Sequence, residues 1–174
     1  MPATTATTVI GVIVFTDLVG FTEFTAVSGD DAALALLAVQ ERLVSAALPE
    51  DARVVKELGD GLLLYFPDSA GAVRTGMALQ EAFEAESAST GLPLWVRMGM
   101  HAGEARERGD DLVGHDVNVA ARIVDVAGPG EVLVSDATRS AAEGLVPQIC
   151  FEELGPVVMK GIPQPIRLWR ASCA

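Results

Sequence analysis

Residues 53–66 have the sequence RVVKELGDGLLLYF, in which two apolar runs are separated only by Gly59-Asp60-Gly61. An Asp-Gly step between two apolar runs predicts a tight β-hairpin, with one strand over Arg53–Leu58 and the next over Leu62–Phe66. Parallel neighbours in a doubly wound sheet need long crossover connections, so this hairpin argues against that architecture.

The segments on either side of the hairpin alternate between strand and helix patterns. The β-branched run Val9–Phe15 predicts a buried central strand. Apolar spacing after Ser28, a candidate helix cap, predicts a helix that Pro49 ends. Later elements are predicted as a helix from about Asp68, a strand over 94–101, a helix over 116–126, then strand, short helix, strand and a last strand over 165–170.

The resulting order, β-α-β-β-α-β, is that of the split βαβ or ferredoxin-like plan. We therefore predict an α+β fold with a ferredoxin-like core and a C-terminal αβ extension. A length of 174 residues, half of them apolar, suits a single domain over residues 1–174. Residues 1–8 are predicted to form a flexible tail.

Composition and charge exclude several classes of partner. No stretch approaches the roughly 18 apolar residues of a membrane span, and the N-terminus has no basic region typical of a signal peptide. Cys150 and Cys173 lack metal-ligand spacing and indicate a reducing compartment, so we expect a cytoplasmic protein. A net charge of −12 disfavours nucleic acid, because such a surface repels phosphate backbones.

Two carboxylates are predicted to meet at one edge of the sheet. In the split βαβ topology strands one and three are antiparallel neighbours, so Asp17, which ends the first, and Asp60, which begins the third, come together. Like charges so placed repel unless a cation lies between them, and oxygen ligands favour Mg²⁺. Taken singly, Asp17 could instead cap a helix and Asp60 could be an ordinary turn residue. Gly20-Phe21-Thr22 opens the next helix, where free N–H groups can bind phosphate.

Four segments resemble the catalytic domain of class III nucleotidyl cyclases, in the order in which that family has them. They are FTDLVGFT (15–22), KELGDG (56–61), DLVGHDVNVAARI (111–123) and MKGIPQPIRLW (159–169). The resemblance implies that Asp17 and Asp60 hold two divalent metal ions per site, Mg²⁺ or Mn²⁺. It also implies that Lys160 binds the terminal phosphates of the substrate.

The resemblance further assigns Lys56 and Asp111 to the nucleotide base. Adenine presents an amino donor beside a ring acceptor; lysine only donates and an ionised aspartate only accepts, so the pair matches ATP. Guanine reverses that edge, and guanylyl cyclases usually carry glutamate in place of the lysine. Two mismatched polar groups, each costing about 1–3 kcal/mol, favour ATP over GTP by roughly a hundredfold.

Asn118 and Arg122 share one face of the predicted third helix. By the resemblance, Asn118 orients the ribose and Arg122 neutralises charge on the α-phosphate, although Arg122 could also form a surface ion pair. His101 and His115 are expected to be structural or surface residues, because neither has a second ligand at helical or strand spacing.

The family implies a head-to-tail homodimer that makes cyclic AMP from ATP at two shared sites. Asp17 and Asp60 come from one protomer, and the base, ribose and phosphate residues from the other. The alternatives are a guanylyl cyclase and a weakly active nucleotide-binding module of the same fold. A diguanylate cyclase shares the core fold, but its Gly-Gly-Asp/Glu-Glu-Phe hairpin is replaced here by LGDGL over Leu58–Leu62.

Overall fold

The structure, a computed structural model, describes residues 6–174 in eight strands and five helices. Residues 1–5 of the predicted tail lie outside the described residues, and the first strand begins at Thr8. In chain order the elements are β1 Thr8–Leu18, α1 Phe21–Ser28, α2 Asp30–Ala47, β2 Arg53–Leu58, β3 Gly61–Phe66, α3 Ser69–Thr90, β4 Val96–Arg108, β5 Asp111–Val113, α4 His115–Val126, β6 Val132–Ser135, α5 Asp136–Ala142, β7 Ile149–Val157 and β8 Ile166–Cys173.

All strands belong to one sheet, in the order β2-β3-β1-β4-β6-β8-β7, with β5 pairing to β4. The first four strands have the ferredoxin-like arrangement, in which β1 is antiparallel to both β3 and β4. The extension begins at β6, which pairs with β4 in parallel. The predicted α+β class, the ferredoxin-like core and the C-terminal extension are confirmed.

Both faces of the central strand β1 are covered, which explains its continuous apolar sequence. Val12 and Val14 face a core cluster that includes Leu36 of α2 and Phe83 of α3. The alternate residue Ile13 faces a second cluster, formed with β3, β4, β5 and α4. Among the described residues, no helix is both long enough and apolar enough to cross a membrane.

Three local predictions differ from the structure. β1 extends past the apolar run that ends at Phe15 and includes Asp17, one residue before its last residue, Leu18. The helix predicted after Ser28 is present as α2, but Ser28 does not cap it: Ser28 is the last residue of α1, and Gly29, with a φ of 91°, separates the two helices and precedes α2. The segment between the strand predicted over 94–101 and the helix predicted over 116–126, for which no strand was predicted, contains the short strand β5.

Candidate functional site

The end of β1 and the start of β3 are joined closely enough to bring Asp17 and Asp60 together. Thr16 pairs with Leu62, and the Thr16 hydroxyl accepts a hydrogen bond of 3.1 Å from the Leu62 N–H. A Cβ atom on Gly61 would lie 2.2 Å from the Thr16 carbonyl oxygen, so only glycine permits this approach. The predicted meeting of the two carboxylates at this edge of the sheet is therefore present.

The two carboxyl groups influence each other electrostatically. The pKa of Asp60 is raised to about 6, mainly by burial and then by the hydrogen bond to Asp17 and repulsion from its charge. The charge of Arg97 opposes this rise. A pair of crowded carboxylates of this kind favours a divalent cation. Among residues 6–174 no cluster of three or more His, Cys, Asp or Glu residues could hold a metal. Two carboxylates still fit Mg²⁺, which typically takes one or two together with substrate phosphates.

Arg97 on β4 is part of this site, and the sequence interpretation missed it. Its Nε and Nη2 atoms donate to Asp17 Oδ2 at 2.9 and 2.6 Å. Its Nη1 atom donates to the Asp125 carbonyl at 3.1 Å, which connects Asp17 to the last turn of α4. Arg97 could have been noticed as a charge within an apolar strand of a chain with only 12 basic residues.

Gln40 of α2 contacts the hairpin turn, and the sequence interpretation missed it as well. Its side chain is buried, and Nε2 lies 3.4 Å from the Asp60 carbonyl oxygen. The other amide atom, Oε1, has no hydrogen-bond partner within the part of the chain that the structure describes. A polar residue on the buried face of an amphipathic helix is the pattern that could have identified it.

An open cleft surrounds the carboxylate pair. Its lining includes Asp17, Asp60, Arg97 and Gly20-Phe21-Thr22. Gly20, with a φ of 78°, precedes the first turn of α1, and no side chain caps that helix end. The first N–H groups of a helix lack partners within the helix, so these groups can bind phosphate oxygens.

Lys56 and Asp111 form a direct ion pair although they are far apart in sequence. Lys56 Nζ lies 2.9 Å from Asp111 Oδ2. β5 places Asp111 there by pairing with the end of β4, and the Leu112 N–H donates to Asp111 Oδ1 at 2.8 Å. The hydrogen bond from Lys56 is the main cause of a lowered Asp111 pKa. One lysine donor and one carboxylate acceptor are thus held side by side.

Asn118, Arg122 and Lys160 present polar groups that remain accessible. Asn118 and Arg122 lie one turn apart on α4, where Asn118 is exposed. Arg122 reaches Asp125 at 3.3 Å, the surface ion pair considered as its alternative role. Lys160 is exposed in the loop between β7 and β8, which the buried Met159 anchors on one side.

The predicted site residues do not all lie around one cleft. The cleft around Asp17 and Asp60 is lined by none of Lys56, Asp111, Asn118, Arg122 or Lys160. Within the described part of one chain, the carboxylates and the helix start are therefore together, while the residues predicted to bind the base, the ribose and the terminal phosphates line other parts of the surface.

Comparison with known proteins gives consistent matches. Residues 4–170 match the model of the adenylate and guanylate cyclase catalytic domain. A putative adenylate cyclase of Rhizobium meliloti is 37% identical over 121 residues, covering 67% of this chain and 20% of that protein. A pH-sensitive adenylate cyclase of Mycobacterium tuberculosis is 32% identical over 161 residues, covering 91% of this chain and 39% of its own length. The chain thus spans less than half of either relative.

A solved structure shows the same fold. The crystal structure of the adenylyl cyclase CyaB from P. aeruginosa superposes with a TM-score of 0.87, covering 97% of this chain and 96% of that one at 22% sequence identity.

Proposed function

The chain belongs to the adenylate and guanylate cyclase catalytic-domain family, and from that membership we propose that it converts ATP to 3′,5′-cyclic AMP and pyrophosphate. The observation that carries the choice of ATP is the contact of 2.9 Å between Lys56 Nζ and Asp111 Oδ2. An adenine edge needs a donor for its ring nitrogen and an acceptor for its amino group, and this pair supplies both.

The reaction proposed is an in-line displacement at the α-phosphate. The ribose 3′ hydroxyl gives its proton to water, and its oxygen bonds to the α-phosphorus. The bond between the α-phosphorus and the oxygen that bridges to the β-phosphate breaks, which releases pyrophosphate. Divalent ions, Mg²⁺ or Mn²⁺, bound by Asp17 and Asp60 would lower the pKa of the 3′ hydroxyl and bind the triphosphate.

The chain's own polar groups bind and orient the nucleotide in this proposal. The first N–H groups of α1, at Gly20-Phe21-Thr22, bind the β- and γ-phosphates. Asn118 holds the ribose, and Arg122 neutralises the charge that develops on the α-phosphate, a task suited to its planar guanidinium. Lys160, exposed on its loop, completes the contact with the terminal phosphates.

A head-to-tail homodimer would bring these residues together around one nucleotide. The cleft with Asp17 and Asp60 is lined by none of the proposed base or ribose residues, and in the proposed dimer a second copy of the chain supplies them to the nucleotide. A two-fold axis then generates two equivalent sites, each with metal-binding carboxylates from one protomer and Lys56, Asp111 and α4 from the other.

The experiment that tests the proposal is incubation of the purified protein with ATP or GTP and either Mg²⁺ or Mn²⁺, with products separated by chromatography. We expect cyclic AMP from ATP and much less cyclic GMP from GTP. Cyclic GMP as the main product would make the chain a guanylyl cyclase. If folded, dimeric protein made no cyclic product, the chain would instead be a nucleotide-binding module.

A further inference from the structure

A cluster of polar side chains links α4 to β4, β6 and α5 and has no part in the proposed reaction. Asp116, in the first turn of α4, accepts two hydrogen bonds from β4: 2.8 Å from the Glu104 N–H to Oδ2 and 3.1 Å from His101 Nε2 to Oδ1. His101 Nδ1 lies 2.7 Å from the hydroxyl of Ser135, at the end of β6. Three elements of the fold are thus linked through one imidazole ring.

The cluster is anchored on its far side as well. The Ser135 hydroxyl lies 3.1 Å from the hydroxyl of Thr138 in α5. Thr138 Oγ1 in turn accepts a hydrogen bond of 2.9 Å from the Ala102 N–H. Ser135 and Thr138 are almost fully buried, so the ring of His101 is held against a fixed support.

The hydrogen-bond pattern indicates which ring nitrogen carries the proton when His101 is neutral. An ionised carboxylate only accepts, so the proton of a neutral His101 lies on Nε2, facing Asp116, and Nδ1 accepts from Ser135. Burial lowers the pKa of His101, which favours this neutral form. The contact is therefore a directional hydrogen bond with fixed donor and acceptor.

Close packing along β4 shows that α4 is docked at both ends. A Cβ atom on Gly103 would lie 2.1 Å from Asp116 Oδ2, and one on Gly99 would lie 2.4 Å from the Val124 nitrogen. Gly114, which precedes α4, gives it no side-chain cap. The first turn of α4 is consequently oriented by Asp116, two positions before Asn118.

We propose that Asp116 and His101 are positioning residues that fix where α4 presents Asn118 and Arg122 to the nucleotide. This inference rests on the proposed function, because it assumes that those two side chains act on the reacting phosphate. A displacement of α4 by about 1 Å can cost roughly a hundredfold in rate without removing any catalytic group. The position of α4 should not affect base selection by Lys56.

The variants that test the proposal differ in which hydrogen bond they remove. Asp116→Asn keeps the shape but has only one oxygen, so it cannot accept from both His101 and the Glu104 N–H. His101→Leu removes both ring contacts, whereas the Gln amide of His101→Gln can again donate towards Asp116. The matched control is Asp136→Asn, which changes an equivalent first-turn acid on α5, bonded to Arg139 and Trp169.

We expect Asp116→Asn and His101→Leu to lower kcat by roughly ten- to a hundredfold with little change in KM, because they displace Arg122, which acts on charge that develops at the α-phosphate only in the transition state. His101→Gln should recover most of the rate, and Asp136→Asn should match the wild type. The ATP-to-GTP preference should stay constant in all four. Rates within about twofold of wild type for Asp116→Asn would overturn the proposal.

Hydrogen–deuterium exchange gives a readout that needs no substrate, so it separates this inference from the proposed function. We expect faster exchange in Asp116→Asn and His101→Leu, confined to the first turns of α4. A uniform rise over α4, β4 and β6 would indicate a general stabilising role and overturn the proposal. If His101→Leu does not fold, the near-isosteric Asp116→Asn decides. Wild-type protein that makes no cyclic nucleotide would refute the proposed function, while localised exchange would still show that the cluster orients α4.

Discussion

Lys56 and Asp111 are joined by a single contact of 2.9 Å, although one lies on β2 and the other on β5, a short strand that pairs with the end of β4. Their side chains remain 39% and 34% exposed, so the pair is accessible to solvent and to ligand. Exposed ion pairs contribute about 0–1 kcal/mol. Exchanging this contact for an adenine edge, as the proposed function requires, would therefore cost little.

Removal of the lysine should weaken the preference for ATP. We expect Lys56→Ala to lower the ratio of kcat/KM for ATP to that for GTP by about tenfold or more, since one lost partner for a polar group costs about 1–3 kcal/mol. The ratio is measured from initial rates with each nucleotide. Arg53→Ala, a change to another basic residue of β2, is the control and should leave the ratio unaltered. An unchanged ratio in Lys56→Ala would remove this lysine from base recognition.

The same pair predicts a pH effect of known sign. Lys56 lowers the pKa of Asp111, so the pair stabilises the folded state above the ordinary aspartate pKa and loses that contribution as the pH falls through the lowered value. In Lys56→Ala the Asp111 pKa should return towards its ordinary range. Carboxyl NMR titration measures it directly, and Lys160→Ala, which removes a distant lysine, should have no effect. A low Asp111 pKa that survives Lys56→Ala would contradict the assignment.

The hairpin and the carboxylate pair could be predicted because local chemistry dictates them. An Asp-Gly step between apolar runs specifies the turn, and the strand order that follows places Asp17 beside Asp60. Arg97 could not be placed in this way, because its contact with Asp17 depends on the register between β1 and β4 across 80 positions of sequence. β5 was not predicted from the sequence for a related reason. A strand of three residues is too short to show a periodic pattern, and only its pairing with β4 defines it.

Arg97 should stabilise the protein most when no metal is bound. Its guanidinium neutralises Asp17, which otherwise faces Asp60 without a nearby cation. We expect Arg97→Gln to lower the free energy of unfolding in EDTA by about 1.5–3 kcal/mol, the range for hydrogen bonds to charged groups. Added Mg²⁺ should then stabilise the variant more than the wild type.

Urea unfolding with and without Mg²⁺ measures both quantities for Arg97→Gln. Arg42→Gln is a suitable control, because the pair between Arg42 and Glu86 is more exposed and should contribute about 0–1 kcal/mol at most. An Arg97 variant as stable as wild type in EDTA would show that the Asp17 contact contributes nothing to the metal-free fold.

Shared sites make a prediction about mixtures of two variants, one without activity and one with impaired activity. Asp17→Ala removes the metal-binding function of one protomer, and Lys56→Ala impairs base binding by the other. A heterodimer of the two has one site with both defects and one with neither, so random mixing should restore about a quarter of the wild-type sites. Activity is assayed after co-refolding, with heterodimers verified by mass spectrometry. Verified heterodimers without recovered activity would refute sharing of sites between protomers.

The glycines on either side of Asp60 should respond differently to alanine. At Gly61 the new Cβ would lie 2.2 Å from the Thr16 carbonyl oxygen, a backbone atom that cannot move aside without separating β3 from β1. Such overpacking costs about 1–3 kcal/mol and would part Asp17 from Asp60. At Gly59 nothing lies within 4 Å, and the only cost is a φ of 65°, worth about 1–2 kcal/mol for a residue with a Cβ. Both variants should lose some stability in urea unfolding, but only Gly61→Ala should also lose the Mg²⁺-dependent stabilisation, because only it separates the two carboxylates.

If Mg²⁺ stabilised the two variants equally, the packing of Gly61 against Thr16 would not set the distance between Asp17 and Asp60.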